Sequence, residues 1–262
     1  MDAENFIPAS LYVCPVVASR PVGAYRQVAF VAPEIAALAH PGQFIMVRRA
    51  GPALDPLLPR PMCISDADSD LVKILVEPVG KGSAKLAASQ VGDRLSVMGP
   101  LGTGFDLEGE GPAVLVGGGI GVSPLVLTAG TLAERGRAVR CILGFRARQQ
   151  AVAAELFRDF DVDVLTEDGS MGRTGLVNEP LPGCLAIEPG QPAPEVFACG
   201  PDGMLWEVAR ISRECGVRAQ VSVATHMACG IGSCQGCVIR TKGSYRKACT
   251  SGPVFEAGEL EW

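Results

Sequence analysis

The sequence predicts a multidomain fold: an antiparallel β-barrel, then an α/β domain with a parallel sheet, then a small cysteine-rich domain. Three observations predict it. Up to about Asp106, short apolar segments alternate with Pro, Gly and Asp, as strands alternate with tight turns. From Gly111 the texture changes to strand–turn–helix units, which assemble into a parallel sheet. Near the end, Cys229, Cys234, Cys237 and Cys249 follow the spacing C-x4-C-x2-C-x11-C among glycines. The expected domain boundaries are 1–108, 109–218 and 219–262.

Composition bounds the function. The chain has 262 residues, enough for two domains and a small third; 48% are apolar, 19% are charged, and the net charge is −5. Positive charge is scattered and forms no basic run, which argues against nucleic-acid binding. Ten cysteines would suggest disulfides in a small secreted protein. Here four of them gather in one metal-like motif, and the start, Met1-Asp2-Ala3-Glu4-Asn5, is acidic and unlike a secretion signal. A reducing cytoplasm is therefore expected. Cys14, Cys141, Cys184 and Cys215 are expected to be small core residues, whereas Cys63 and Cys199 sit in chemical contexts. Residues 112–133 carry no charge over a length that could cross a bilayer, but glycines and Ser123-Pro124 break the stretch into strand, turn and helix.

In the first domain, segments 11–17, 25–31, 44–48, 71–78 and 94–98 read as strands, with Gly92-Asp93 as a turn into the last. Three features look chemical. In Arg60-Pro61-Met62-Cys63-Ile64-Ser65 a fixed cation beside an extended strand suits a phosphate, and the short Cys63 and Ser65 leave room for a flat ring. The alternative is a strand with a surface arginine. In Val79-Gly80-Lys81-Gly82-Ser83 two glycines precede a serine and a helical apolar pattern, so backbone amides are expected to face an anion. A flexible turn is the alternative there. The loop Gly99-Pro100-Leu101-Gly102-Thr103-Gly104-Phe105 ends the barrel or serves as a linker.

The second domain opens with a buried strand over 113–117. The turn Gly117-Gly118-Gly119-Ile120-Gly121-Val122-Ser123-Pro124 then enters a helix running to about Arg135, with Pro124 in its first turn and Gly136 past its end. Bare backbone at such a turn lets a pyrophosphate approach the positive end of the helix. A strand over 139–144, a helix around 150–160 and a strand over 162–166 follow. Thr166-Glu167-Asp168-Gly169-Ser170 ends that strand, either lining the ligand crevice or forming a solvated turn. Another apolar strand closes in Cys199-Gly200-Pro201 before a helix over 204–215, which places Cys199 over the ligand crevice at the strands' carboxyl ends.

Cys229, Cys234, Cys237 and Cys249 have the spacing of plant-type [2Fe–2S] ligation. Three thiolates converge from one loop, and Gly230, Gly232 and Gly236 make room for the sulfides. A hairpin over 238–247, turning at Lys242-Gly243-Ser244, returns the fourth ligand. Structural zinc, the competing reading, more often uses two separate C-x2–4-C knuckles. His226 precedes the motif and is read as structural rather than as a tuning residue.

The order of these landmarks resembles the ferredoxin–NADP reductase superfamily. In that resemblance Arg60, Pro61, Met62, Cys63, Gly80, Gly82 and Ser83 bind FAD, while Gly117, Gly118, Gly119, Gly121, Gly200 and Pro201 bind a nicotinamide dinucleotide. Cys199 would stand at the hydride-transfer contact. Cys63 departs from the usual Ser or Thr beside the flavin, and Trp262 is not assigned the aromatic stacking role that plant reductases give a terminal residue.

With the cysteine motif appended, the chain is similar to the electron-transfer subunits of NAD-dependent, class 1B dihydroorotate dehydrogenases. That resemblance implies FAD, a [2Fe–2S] cluster and NAD as cofactors. It also implies an FMN-containing catalytic subunit as partner, in a heterotetramer of two copies of each. Two other readings remain open at this stage: an NAD(P)H-dependent FAD/iron–sulfur reductase serving a different partner, and a redox sensor or scaffold holding zinc. Arg146 and Arg148 after the second strand leave the choice between NAD and NADP open.

Overall fold

The computed structural model describes residues 10–52, 55–187 and 189–262; the acidic start at Met1 lies outside the described residues. Its first part is a seven-stranded antiparallel sheet. The strands are β1 (Leu11–Val22), β2 (Tyr25–Val31), β3 (Phe44–Arg49), β4 (Arg60–Cys63), β5 (Asp66–Asp68), β6 (Leu71–Val76) and β7 (Arg94–Leu101), in the spatial order β4-β3-β7-β1-β2-β6-β5. The short link between β4 and β5 joins the two outer strands. Ile64 N–H donates to Gln43 O at 3.1 Å and Ser65 N–H to Lys73 O at 2.9 Å, so consecutive residues bond to opposite edges and close the sheet into a barrel. Phe30, Ile45, Ile64, Ile74 and Leu95 fill the interior. Two short helices, α1 (Pro33–Ala36) and α2 (Lys81–Ala87), lie outside it.

β1 is longer than expected, running to Val22 because it pairs with β7 through its first half and with β2 through its second. β7 likewise extends through Gly99 and Pro100. The loop after β7 is more than a linker. Thr103 N–H donates to Gly252 O at 2.6 Å, and Asp106 N–H to Gln220 Oε1 at 2.8 Å, tying the barrel to both later parts.

The second part is a parallel sheet of β8 (Ala113–Gly118), β9 (Val139–Phe145), β10 (Asp161–Thr166), β11 (Arg173–Thr174), β12 (Glu195–Cys199) and β13 (Arg218–Ser222). Its helices are α3 (Ser123–Glu134), α4 (Arg148–Ala151), α5 (Leu181–Cys184) and α6 (Asp202–Glu214). The helix expected around 150–160 is instead the single turn α4 followed by a 3₁₀ stretch, Val152–Phe157. Side chains along β8 alternate: Val114 and Val116 pack with Ile142, Val196 and Leu205 on one face, while Leu115 packs with Leu125, Phe157 and Phe197 on the other.

The third part holds the hairpin β14 (Val238–Thr241) and β15 (Ser244–Lys247), the turn α7 (Ala248–Ser251) and β16 (Val254–Glu256). β16 pairs antiparallel with β13, so the larger sheet reads β11-β10-β9-β8-β12-β13-β16. The boundary expected at 218/219 falls inside β13. One apolar core spans all three parts: Phe44, Met46 and Leu101 of the barrel join Val196 and Val221 of the parallel sheet and Cys237, Cys249 and Phe255.

An ion network, buried at Glu195 and Arg137 and open to solvent at Arg218, Asp106 and Glu256, reinforces the junction. Glu195 accepts from Arg137 Nη2 at 2.8 Å and from Arg218 Nη1 at 3.2 Å, and Arg218 also reaches Asp106 and Glu256. The network joins the linker after the barrel, the parallel sheet and β16.

Candidate functional site

Sheet topology locates the nucleotide crevice. In the order β10-β9-β8-β12-β13 the chain winds outward in both directions from β8 and β12, and ligands bind beyond the carboxyl ends of strands at such a reversal. Those ends are Gly117, Gly118 and Cys199, with Gly117 and Cys199 directly paired. A cavity of about 360 Å³ opens there, lined by Gly118, Gly119, Arg146, Glu167, Pro201 and Met204 among others.

The glycines divide into two kinds. A β-carbon on Gly121 would lie 2.4 Å from Cys199 O, one on Gly200 2.5 Å from Met204 Cε, and one on Gly117 2.9 Å from Val122 Cγ1. These three let the turn, α3 and the Cys-Gly-Pro segment press together. Gly118 and Gly119 line the cavity; a β-carbon on Gly118 would meet Met204 Sδ at 2.6 Å, whereas Gly119, at φ +55°, turns an open face to it. Arg146 and Glu167 both line the cavity, whereas Arg148 Nε is engaged by Ser170 O at 3.0 Å.

Cys199 ends β12 with only 6% exposure, directly paired with Ser222 of β13. Burial pushes this thiol far up, and Cys63 of the barrel adds to the effect. It therefore stands as a small neutral group at the seam between the two domains. Cys63 ends β4 opposite Phe44, and burial raises it to about 11. The strand expected to hold FAD thus runs Arg60, Pro61, Met62, Cys63 toward the end of the nucleotide sheet.

At the other end of β4, the Arg60 guanidinium lies directly over the first turn of α2. A β-carbon on Gly82 would sit 2.3 Å from Arg60 Nε, so only glycine admits this approach. Arg60 Nη1 donates to Leu58 O at 2.7 Å, which fixes the side chain. The Ser83 hydroxyl is turned inward, accepting from Gly80 N–H at 3.1 Å, and Gly80 itself faces open space. The arginine and the helix turn together form a concave, positively charged cradle that fits a dinucleotide phosphate.

The four sequence-predicted cluster ligands come together. Their sulfurs lie close together in two pairs, Cys229 beside Cys234 and Cys237 beside Cys249. Backbone N–H groups point at the sulfurs, Gly232 to Cys249 Sγ at 3.1 Å, Cys234 to Cys229 Sγ at 3.4 Å and Gly236 to Cys234 Sγ at 3.5 Å. Burial pushes the Cys229 thiol up, but backbone donors from Cys234, Ile231 and Ser233 outweigh it and bring it to about 7. Among the described residues, no three His, Cys, Asp or Glu converge on one metal-ion position. Two thiol pairs with N–H donors fit a two-iron cluster, which takes two thiolates per iron, better than one tetrahedral ion. Lys247 Nζ donates to Gly232 O at 3.0 Å and pins the loop, while His226 is exposed.

Two residues that no local pattern marks complete the site. Met46 of β3 lies beneath Gly230 of the cluster loop, and Ser222 of β13 stands beside Cys199 as its strand partner. Both act through contacts between distant parts of the chain, which leave no periodic signal.

Comparison with known proteins agrees with this geometry. The family model for the iron-sulfur cluster binding domain of dihydroorotate dehydrogenase B matches residues 224–261. The chain is 41% identical over 233 residues to the dihydroorotate dehydrogenase B (NAD(+)) electron transfer subunit of Geobacillus kaustophilus, covering 85% of this chain and 87% of the relative. The subunit of the same name from Desulforamulus reducens is 36% identical over 242 residues, covering 89% and 91%. Among solved structures, an NADH-dependent reduced ferredoxin-NADP oxidoreductase described for flavin-based electron bifurcation superposes with a TM-score of 0.84. It is 27% identical and covers 96% of this chain and 90% of that one. A Neisseria gonorrhoeae ferredoxin NADP+ reductase with bound FAD and NADP shares the fold at a TM-score of 0.64 and 16% identity, covering 79% and 92%. With a barrel, a parallel sheet and a four-cysteine loop joined through one core, and relatives matched along nearly their whole length, the chain belongs to the family of electron-transfer subunits of NAD(+)-dependent dihydroorotate dehydrogenase B.

Proposed function

We propose that this chain carries electrons between NAD and an FMN-containing subunit that oxidises dihydroorotate, in a cytoplasmic heterotetramer of two copies of each. Arg60, Gly80, Gly82 and Ser83 hold the FAD pyrophosphate, and Pro61, Met62 and Cys63 border its ring. Gly118, Gly119, Gly200 and Pro201 receive the nicotinamide dinucleotide, with Gly117 and Gly121 keeping the turn compact. Cys199, neutral and small, leaves space where nicotinamide and flavin meet. Cys229, Cys234, Cys237 and Cys249 hold the [2Fe–2S] cluster. Bound FAD supplies the exchange between two-electron and one-electron chemistry that a nicotinamide and an iron–sulfur cluster require of each other.

One observation carries this reading: the three stations adjoin one seam. Phe44, the cross-strand partner of Cys63 at the end of β4, shares one core with Ala198, the neighbour of Cys199 in the nucleotide sheet. Gly230 of the cluster loop rests on Met46, which is the cross-strand partner of Pro61 in that same β4. Groups held at the three places would be neighbours, with protein excluding water between them.

The test is co-purification from the native host, then assay of the complex for dihydroorotate-dependent reduction of NAD+. The expected result is a flavin and iron–sulfur spectrum in this chain and NAD+ reduction only when it is present with its partner. A complex that oxidises dihydroorotate with an artificial acceptor, yet never reduces NAD+, would overturn the reading. Likeness to the bifurcating oxidoreductase at a TM-score of 0.84 supports a second reading, an NAD(P)H-dependent reductase serving another partner. Reduction of a ferredoxin by the isolated chain would favour it.

A further inference from the structure

Tyr25 opens β2 at the tip of the barrel's first hairpin. It is 3% exposed, and its hydroxyl has no hydrogen-bond partner. A buried phenol without an acceptor forfeits the hydrogen bonds it would make in water, so its persistence needs a reason.

Its position supplies one. The hairpin is fastened to the nucleotide domain: Ala24 N–H donates to Gln149 O at 2.6 Å, and Gly23, at φ +57°, leaves no room for a β-carbon against that same carbonyl. Tyr25 is thereby carried to the glycine turn. A β-carbon built on Gly119 would lie 3.9 Å from the Tyr25 oxygen and within 4 Å of no other atom. The phenol thus overlooks the otherwise open face of the one turn residue that is both left-handed and on the cavity wall. Glu77 is close enough to act on the phenol, and its carboxylate accepts from Gln150 Nε2 at 3.3 Å. Burial first, then Glu77, keeps the phenol protonated, so beside Gly119 it stands as an unused donor.

We propose that Tyr25 is a binding residue for the nicotinamide dinucleotide, its hydroxyl donating to a pyrophosphate oxygen that lies over Gly119. The barrel then grips the same phosphate that the nucleotide domain cradles, and a single bond from each domain sets how the dinucleotide enters the seam. This rests on the reading that the glycine turn holds the dinucleotide.

The experiment titrates NAD+ into the FAD-loaded protein by calorimetry, where no electron moves, and compares Tyr25→Phe with Gly119→Val. The expected result is NAD+ binding weakened by roughly ten-fold or more in Tyr25→Phe, as loss of one hydrogen bond to a charged group implies. FAD and iron contents stay unchanged, and Gly119→Val binds NAD+ far more weakly. The unliganded Tyr25→Phe protein should melt no lower than wild type, because the phenol has no partner to lose, while the stabilisation conferred by NAD+ shrinks. Unchanged NAD+ affinity in Tyr25→Phe with loss in Gly119→Val overturns the proposal and leaves the glycine-turn reading standing. Unchanged affinity in both overturns the two together. Loss of FAD from Tyr25→Phe with normal NAD+ binding assigns the phenol to the flavin and also overturns the proposal.

Discussion

Gly230, inside the cluster loop, rests on the side chain of Met46 in the barrel: a β-carbon added to the glycine would meet Met46 Cγ at 2.5 Å and Leu101 Cδ1 at 3.1 Å. Gly230 also has φ +73°, where other residues are strained. Gly230→Ala is expected to destabilise the loop by more than about 1 kcal/mol and to push it off the barrel. Iron per chain and the rate of electron passage between NADH and the cluster should both fall, with FAD retained. Normal values of both would show that the contact does not position the loop.

The paired thiols lead to a second expectation. Replacing any one of Cys229, Cys234, Cys237 or Cys249 with Ala should remove the cluster and its visible absorbance while FAD stays bound. Iron analysis checks each variant separately. Full iron in any one of them would remove that residue from the ligand set.

Arg60 and Gly82 test the flavin cradle from its two sides. Arg60→Ala should weaken FAD binding by roughly 1.5–3 kcal/mol, the range for hydrogen bonds to charged groups. Gly82→Ala keeps the charge but displaces it, since the new methyl would occupy the place of Arg60 Nε. Both should raise the FAD dissociation constant, measured by fluorescence. An effect of Arg60→Ala without one from Gly82→Ala would mean that the arginine reaches the phosphate from another direction.

Cys199 and Gly119 separate ring placement from phosphate binding. Cys199→Ala should slow the limiting rate of FAD reduction by NADH more than it changes the apparent binding constant, because it perturbs how the rings approach. Gly119→Val should do the reverse. Stopped-flow traces over a concentration series give both quantities. Should Cys199→Ala alter only binding, the thiol does not border the hydride-transfer contact.

Much of this was legible in the sequence because the relevant signals are local. β2 matches the expected segment residue for residue, and the glycine turn, the Cys-Gly-Pro strand end and the cysteine spacing announce themselves within a dozen residues. Signals that need a distant partner were not legible. Nothing in the composition of residues 254–256 says that they will join β13, and nothing near Met46 or Tyr25 says that a cluster loop or a glycine turn will come to rest beside them. The inward turn of Ser83 toward Gly80 is a choice between two acceptable partners, which residue type alone does not decide. The break of the expected 150–160 helix into α4 and a 3₁₀ stretch follows the docking of the barrel hairpin on Gln149, again a contact from elsewhere in the chain.

The antiparallel strand β16 has a consequence for self-association. It covers the outer rim of β13, whose backbone would otherwise be bare along Gln220, Val221 and Ser222. An uncovered rim is a template for pairing with a neighbouring molecule. The segment that follows the fourth cysteine therefore also acts as a selvedge on the dinucleotide sheet. A variant chain truncated before β16 would bare that rim and is expected to self-associate.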